Sequence, residues 1–376
     1  MSFANASTLK VQRRYSFLRA SGTSILDSTG NAVLLRGANF FGYEYGLWNT
    51  HTEADYQRMA SWGFNVVRLP IAWNFIEPQS GQYDGRYFAN YVDRDVAWAR
   101  KNGLYVILDM HQYAWSPRFT YYEHPPWTAG IPVWAQSAYP DTAEGEARAK
   151  ADFWSNLGPN GATVSDTNPS MQDRFMLAWE YVANRYKDEN VIAAYDLFNE
   201  PDGTRCNIHD QNICYYDYAR FPDTVSAFLT RVVDAIRTVD GNHMILWEPG
   251  DWDTARLTTH VDRPNVVYSP HYPGWEFIHL DSYDGDKTRL ESCLLTNVQV
   301  SQSWNQPMFV GEWGITVEAA NAAQYVRDLA DLQNKYSLSW AWWTYGKDDF
   351  GMTLLDGGGT VRTALTQYLV NPTTRP

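Results

Sequence analysis

Short β-branched or aromatic runs alternate with helical patterns along most of this chain. Eight such runs stand out: 33–39 (VLLRGAN), 64–69 (FNVVRL), 104–110 (LYVILDM), 192–198 (IAAYDLF), 244–248 (MILWE), 265–270 (NVVYSP), 307–312 (PMFVGE) and 338–344 (LSWAWWT). They are apolar on both faces of a two-residue period, as parallel strands covered by helices should be. Amphipathic stretches fall between them at 86–101, 171–187, 220–239 and 320–335. In the last, Ala323, Val326, Leu329, Ala330 and Leu332 keep roughly a 3.6-residue period. Strands alternating with helices predict a parallel sheet, and eight is the number that closes a barrel. An open doubly wound sheet would carry a glycine-rich phosphate turn after an early strand, and neither GxGxxG nor GxxxxGK[ST] occurs. The pattern therefore predicts an α/β protein, a (β/α)8 TIM barrel forming a single domain over residues 1–376. Residues 1–32 form its N-terminal segment, with a hairpin at 17–27 around the DSTGN turn that caps the N-terminal mouth. Residues 113–169 form a long aromatic loop after the third strand.

In such a barrel the chemistry sits at the C-terminal ends of the strands. Those ends read Arg68-Leu69-Pro70, Asp109-Met110-His111-Gln112, Asn199-Glu200-Pro201, Trp247-Glu248-Pro249, His271-Tyr272, Gly311-Glu312-Trp313-Gly314 and Trp342-Trp343-Thr344. Ionisable groups thus close most of the apolar runs. Glu200 and Glu312 each follow such a run, on the fourth and seventh strands, which lie on opposite sides of an eight-stranded ring. Two opposed carboxyls across the mouth are what glycosidic cleavage needs, one as proton donor and one as nucleophile or base. Arg68, His111 and His271 would set their two pKa values apart. Singly, each residue has a plainer explanation: a strand-end Glu as an ion-pair partner, Arg68 as a carboxylate clamp, either histidine as a rim residue. Together, the plain account must explain six strand ends independently.

Other chemistries find little support. There is no HxH or HExxH, and Asp281 to Asp286 departs from the calcium-loop spacing, so it reads as a solvated acidic loop. Serine catalysis lacks its GxSxG elbow. No cofactor or metal is expected. The 43 Asp+Glu against 30 Lys+Arg give a net charge of −13, which argues against nucleic acid or an anionic membrane as partner. No run approaches eighteen apolar residues, so no membrane span is expected. Cys206 and Cys214 share one polar stretch and either pair or stay reduced, and Cys293 is left over. The first residues, MSFANASTLKVQRRYS, lack an apolar signal core. A secreted protein whose leader is not part of this sequence is expected, with an intracellular one as the alternative. A soluble monomer is expected as well.

The chain resembles glycoside hydrolase family five, from about Leu34 to about Trp343. The resemblance rests on NVVRLP, LDMHQ, LFNEP, VYSPHY, FVGEWG and the WWT of the eighth strand. It implies retaining cleavage by double displacement, with Glu200 as general acid/base and Glu312 as nucleophile. It further implies that Asn199 meets the sugar 2-hydroxyl and that Arg68 keeps Glu312 ionised. His111 and His271 would border the cleavage point, and Trp343 would floor the sugar site. The family's usual tyrosine two residues after the sixth-strand histidine is replaced by Pro273, so Tyr272 takes that role.

Aromatic content bears on the substrate. With 17 Trp, 25 Tyr and 16 Phe, rings make up 15% of the chain, and core packing accounts for about half of the Trp. The 113–169 loop alone carries Trp115, Trp127, Trp134 and Trp154, while Trp252 and Trp275 fall in later loops. Trp115 and Trp275 are expected to stack on sugar. Rings along a neutral cleft suit a β-linked polysaccharide or oligosaccharide, and a cellulose-type β-1,4-glucan cut internally is the first expectation. A β-1,4-mannanase, an exo-β-glucosidase and a glycolipid-cleaving enzyme are the alternatives. A catalytically silent carbohydrate binder would carry the rings without the paired glutamates.

Overall fold

The structure, a computed structural model, describes residues 15–40, 42–121, 128–201, 221–249, 259–271, 282–346 and 352–372. The eight apolar runs are all strands. Two short strands come first, β1 (Arg19–Ser21) and β2 (Ser24–Leu26). The barrel follows as β3 (Arg36–Phe40), β4 (Val66–Ile71), β5 (Tyr105–Met110), β6 (Ile192–Asp196), β7 (Met244–Trp247), β8 (Val266–Tyr268), β9 (Phe309–Trp313) and β10 (Ser339–Tyr345). Every neighbouring pair is parallel, in the order β8-β7-β6-β5-β4-β3-β10-β9. The ends meet where Tyr268 pairs with Met308, the Tyr268 N–H donating to the Pro307 carbonyl at 2.9 Å. That contact nearly closes the ring and gives the (β/α)8 barrel. Ala38, Val67, Leu108 and Val310 are all fully buried, as strands with helices on one side and a filled interior on the other must be. Gly37 is needed for one of these pairings, because a Cβ there would lie 1.8 Å from the Val66 carbonyl oxygen.

The amphipathic stretches are helices: Met171–Tyr186, Phe221–Arg237 and Ala322–Lys335. The stretch at 86–101 begins as a helical turn and a five-residue π segment, Phe88–Val92, before the α-helix Asp93–Asn102. The N-terminal hairpin turns at Gly22, one turn earlier than expected. DSTGN makes a second turn, in which Asp27 Oδ1 accepts from the Thr29 and Asn31 amides and brings Ala32 back against Leu26. Leu18, Ile25, Val33 and Leu35 from this segment pack on Val66, Ile107, Met244, Val267 and Phe309. The N-terminal mouth of the barrel is thereby plugged with apolar side chains. The long segment after β5 folds into its own elements, helices Val133–Gln136 and Ala143–Trp154 and a turn at Pro159–Gly161. Among the described residues no helix is long and apolar enough to cross a membrane.

Candidate active site

The opposite mouth is built around Arg68. Its register on β4 places it beside Asn39 of β3, while Asp109 of β5 pairs laterally with Asp196 of β6. The guanidinium is fully buried, and each of its nitrogens is used. Nε donates to Asp196 Oδ2 at 2.9 Å, and Nη1 to Asn39 Oδ1 at 3.0 Å and Glu312 Oε1 at 2.9 Å. Nη2 donates to Asn199 Oδ1 at 2.9 Å and Glu248 Oε1 at 3.0 Å, with Asp109 Oδ1 also 3.0 Å away. Burial alone would lower the pKa of Arg68. The surrounding carboxylates, Asp109 first and then Asp196, Glu312 and Glu248, instead hold it well above its ordinary value. One rigid planar cation thus fixes four acidic side chains and two amides.

Glu200 and Glu312 face each other beside this hub. With His271, each can offer an atom to a cluster whose members lie within 4.8 Å of one another. His271 Nδ1 is 3.0 Å from Glu200 Oε1 and 3.8 Å from Glu312 Oε2, and Nε2 is 3.2 Å from Glu248 Oε1. The GEWG glycine makes room for this ring, since a Cβ on Gly311 would stand 2.5 Å from His271 Nε2. Burial would lower His271, but Glu248 and then Glu312 raise it well above the usual imidazole range. Burial pushes the Glu312 carboxyl up, and His271 and then Arg68 pull it back. His111 is held by Asp109, with Nδ1 2.7 Å from Oδ2, and that partner outweighs burial to raise its pKa to about 8. Trp343 lies parallel to the His111 ring, centroids 5.8 Å apart and planes 7° apart, and its peptide bond to Thr344 is cis.

Glu200 has φ +42°, a left-handed conformation unusual before proline, which favours an extended predecessor. Such a backbone costs about 1–3 kcal/mol unless its surroundings hold it. Gln112 Nε2 donates to the Asn199 and Glu200 carbonyls at 2.7 and 2.6 Å, and Glu248 Oε2 accepts the Glu200 N–H at 2.7 Å. Asn199 is tied twice, its Nδ2 donating to the Gln112 carbonyl at 2.8 Å while Oδ1 accepts from Arg68.

Arg68, His111, Asn199, Glu200, His271, Glu312 and Trp343 are therefore brought to one mouth. Tyr272 and Trp275 lie outside the described residues, as do Cys206, Cys214, Trp127 and Trp252. Trp115 is a correction: it is 0% exposed, with its ring edge-on to Phe153 at 5.2 Å, so it is a core residue and not a sugar platform. Trp154 is also buried, and Trp134 donates to the Glu77 carbonyl under the Arg174 guanidinium. A segment this long needs an apolar core of its own, and its rings supply it. Asn39, Asp196, Gln112 and Glu44 were not singled out from the sequence. Glu44, in the loop after β3, is pushed by burial up to about 7; Oε2 accepts from the Gly42 N–H at 2.9 Å, and its carbonyl accepts from Thr128 and Ala129. Among the described residues two groups have metal-like spacing, Glu200–His271–Glu312 and Asp109–Asp196–Glu248. In the second, Arg68 already stands among the oxygens as the cation.

A nearly closed parallel barrel with two carboxyls converging at its C-terminal mouth is the arrangement of the barrel glycosidases. The chain belongs to glycosyl hydrolase family 5, whose cellulase model matches residues 26–349. It is 25% identical to endoglucanase B of Acetivibrio thermocellus across 88% of this chain and 65% of that protein. It is 26% identical to endoglycoceramidase I of Rhodococcus hoagii across 68% and 52% of the two. The chain thus spans about half to two thirds of these relatives. A solved structure of endo-glycoceramidase II from Rhodococcus sp., in a cellobiose-like imidazole complex, superposes with a TM-score of 0.74 at 25% identity, covering 92% of this chain and 80% of that one.

Proposed function

We propose that this glycoside hydrolase is a retaining β-glycosidase in which Glu200 is the acid/base and Glu312 the nucleophile, and that it cuts β-1,4-glucan chains internally. The observation that carries the reading is the approach of the two carboxyls, with an oxygen of each inside the 4.8 Å cluster around His271. Retaining glycosidases hold their carboxyls about 5–5.5 Å apart, whereas inverting ones leave roughly 6.5–9.5 Å for a water. In the first step Glu312 attacks the anomeric carbon and the glycosidic C–O bond breaks, the leaving oxygen taking the Glu200 proton. In the second, Glu200 takes a proton from water, and that water displaces Glu312. Arg68 and His271, both cationic, favour the ionised nucleophile against its burial. Asn199 and Trp343 are assigned to the sugar bound before the scissile bond.

A second reading, cleavage of the sugar head group from a glycolipid, has its own support. Leu47, Tyr113 and Val133, on the segments that follow β3 and β5, are 49%, 39% and 40% exposed, and Tyr113 stands two residues from His111. Apolar surface at the rim of a sugar site suits an acyl chain. The test is a product profile on carboxymethyl-cellulose, barley β-glucan, galactomannan and a detergent-dispersed lactosylceramide. Mixed oligosaccharides from the glucans support the first reading, while release of lactose alone overturns it in favour of the second. Release from galactomannan alone moves the substrate to mannan.

A further inference from the structure

Glu248, at the end of β7, has no part in the double displacement, yet it meets three parts of the site: the Glu200 backbone, Arg68 and His271. Its Oε2 accepts the Glu200 backbone N–H at 2.7 Å, fixing the residue whose φ is +42°. Its Oε1 accepts from Arg68 Nη2 at 3.0 Å and lies 3.2 Å from His271 Nε2. The other face of that imidazole is the one that meets the Glu200 carboxyl, at 3.0 Å. Glu248 therefore reaches Glu200 by two routes, directly at the backbone and through the ring at the side chain.

We propose that Glu248 is a positioning residue for the acid/base: it locks the Glu200 backbone and fixes which nitrogen His271 turns toward the Glu200 carboxyl. The proposal rests on the assignment of Glu200 as acid/base. Both nitrogens of the cationic ring carry protons, so the carboxyl 3.2 Å behind Nε2 holds the ring's orientation and keeps Nδ1 aimed at Glu200. The charged groups facing Glu248 are Arg68 from β4, Asp109 from β5, Asp196 from β6, and His271 from the segment after β8. Burial pushes Glu248 up to about 8, with Asp196 adding to the rise and His271 and Arg68 opposing it. Removing Glu248 thus changes both the placement of the acid/base and the charge it senses.

The experiment compares Glu248→Gln, Glu248→Asp and Glu200→Gln in the full chain on two aryl β-cellobiosides. One leaving group, phenol, needs protonation; the other, dinitrophenol, departs without it. An acid/base contributes roughly 10²–10⁴-fold, and a residue that positions it is expected to govern about 10- to 100-fold of that. Glu248→Gln should lose that much kcat/KM on the phenyl substrate, less than about threefold on the dinitrophenyl one, and displace the basic limb of the pH profile of kcat/KM. Equal losses on both substrates with an unmoved limb would overturn the proposal and leave Glu248 a structural residue. If Glu248→Gln fails to fold, Glu248→Asp keeps the charge but draws it back from the Glu200 N–H, and it must show the same selective loss. Should Glu200→Gln itself show no leaving-group dependence, it is the assignment of Glu200 that fails. Dependence in Glu200→Gln without dependence in the Glu248 variants sinks this proposal alone.

Discussion

The two mouths of the barrel are built on opposite principles. The N-terminal one is stoppered by Leu18, Ile25, Val33 and Leu35, apolar side chains satisfied by contact alone. The C-terminal one buries Arg68, Asp109, Asp196, Glu248 and Glu312, groups that are tolerated inside only because each has a charged partner within about hydrogen-bond range. The hairpin can therefore lose atoms and pay only in packing. The charged rim loses electrostatic balance when any one member goes. A barrel can keep a costly polar end because the other end is a plain hydrophobic core.

The largest effect separating the two ends should be on turnover. Glu200→Gln is expected to lower kcat by roughly 10²–10⁴-fold on a substrate with a poor leaving group. Glu312→Gln should lower it at least as far, and both should retain sugar binding by calorimetry. Ile25→Ala in the plug should leave kcat/KM within about twofold, since it touches no group of the site. Next comes stability. Arg68→Met strands the buried carboxylates and should cost about 3–5 kcal/mol in urea unfolding. Ile25→Ala should cost about 2–4 kcal/mol by lost burial and cavity formation. If Arg68→Met proved no more harmful than Ile25→Ala, the contrast between the ends would collapse.

The smallest effect is in pH. His111 sits at about 8 in the fold, above its ordinary 6.5. Its contribution is complete below about 6.5 and disappears as pH rises through about 8, a loss of about 2 kcal/mol. Glu44 and Glu248, raised by burial from 4.5 to about 7 and about 8, also favour the protonated fold, so their contributions fall from about pH 4.5 upward, ending near pH 7 and pH 8 respectively. Unfolding free energy should thus drop between about pH 4.5 and about pH 8. His111→Gln should remove about 2 kcal/mol of that drop, whereas Ile25→Ala should shift the curve without changing its slope. A flat wild-type profile would contradict the charge balance described for the rim.

Much of this was legible in the sequence, and for a physical reason. A parallel strand covered on both faces must be apolar throughout, so the eight runs and the ionisable residues that end them stand out against each other. Glu200, Glu312, Arg68, His111, Asn199, His271 and Trp343 came together from strand order alone. What stayed hidden was buried polarity within strands. Asn39 and Asp196 lie inside apolar runs, where only the two-residue parity of a strand facing Arg68 distinguishes them. Glu248 was visible as a strand end, but its contacts depend on the left-handed turn at Glu200, which no local pattern encodes. Trp115 misled because a ring count says nothing about whether a ring faces sugar or core; its place was decided by Phe153 and Phe198.

The central claim is that two glutamates divide the labour of one retaining reaction, and azide rescue tests it most directly. Glu200→Ala and Glu312→Ala would each be given an activated aryl β-cellobioside with sodium azide, and the glycosyl azide examined by proton NMR. The account predicts the β-azide from Glu200→Ala, where azide replaces water at the Glu312-linked sugar, and the α-azide from Glu312→Ala, where azide attacks in place of the missing carboxylate. The reverse assignment of the two anomers would contradict it.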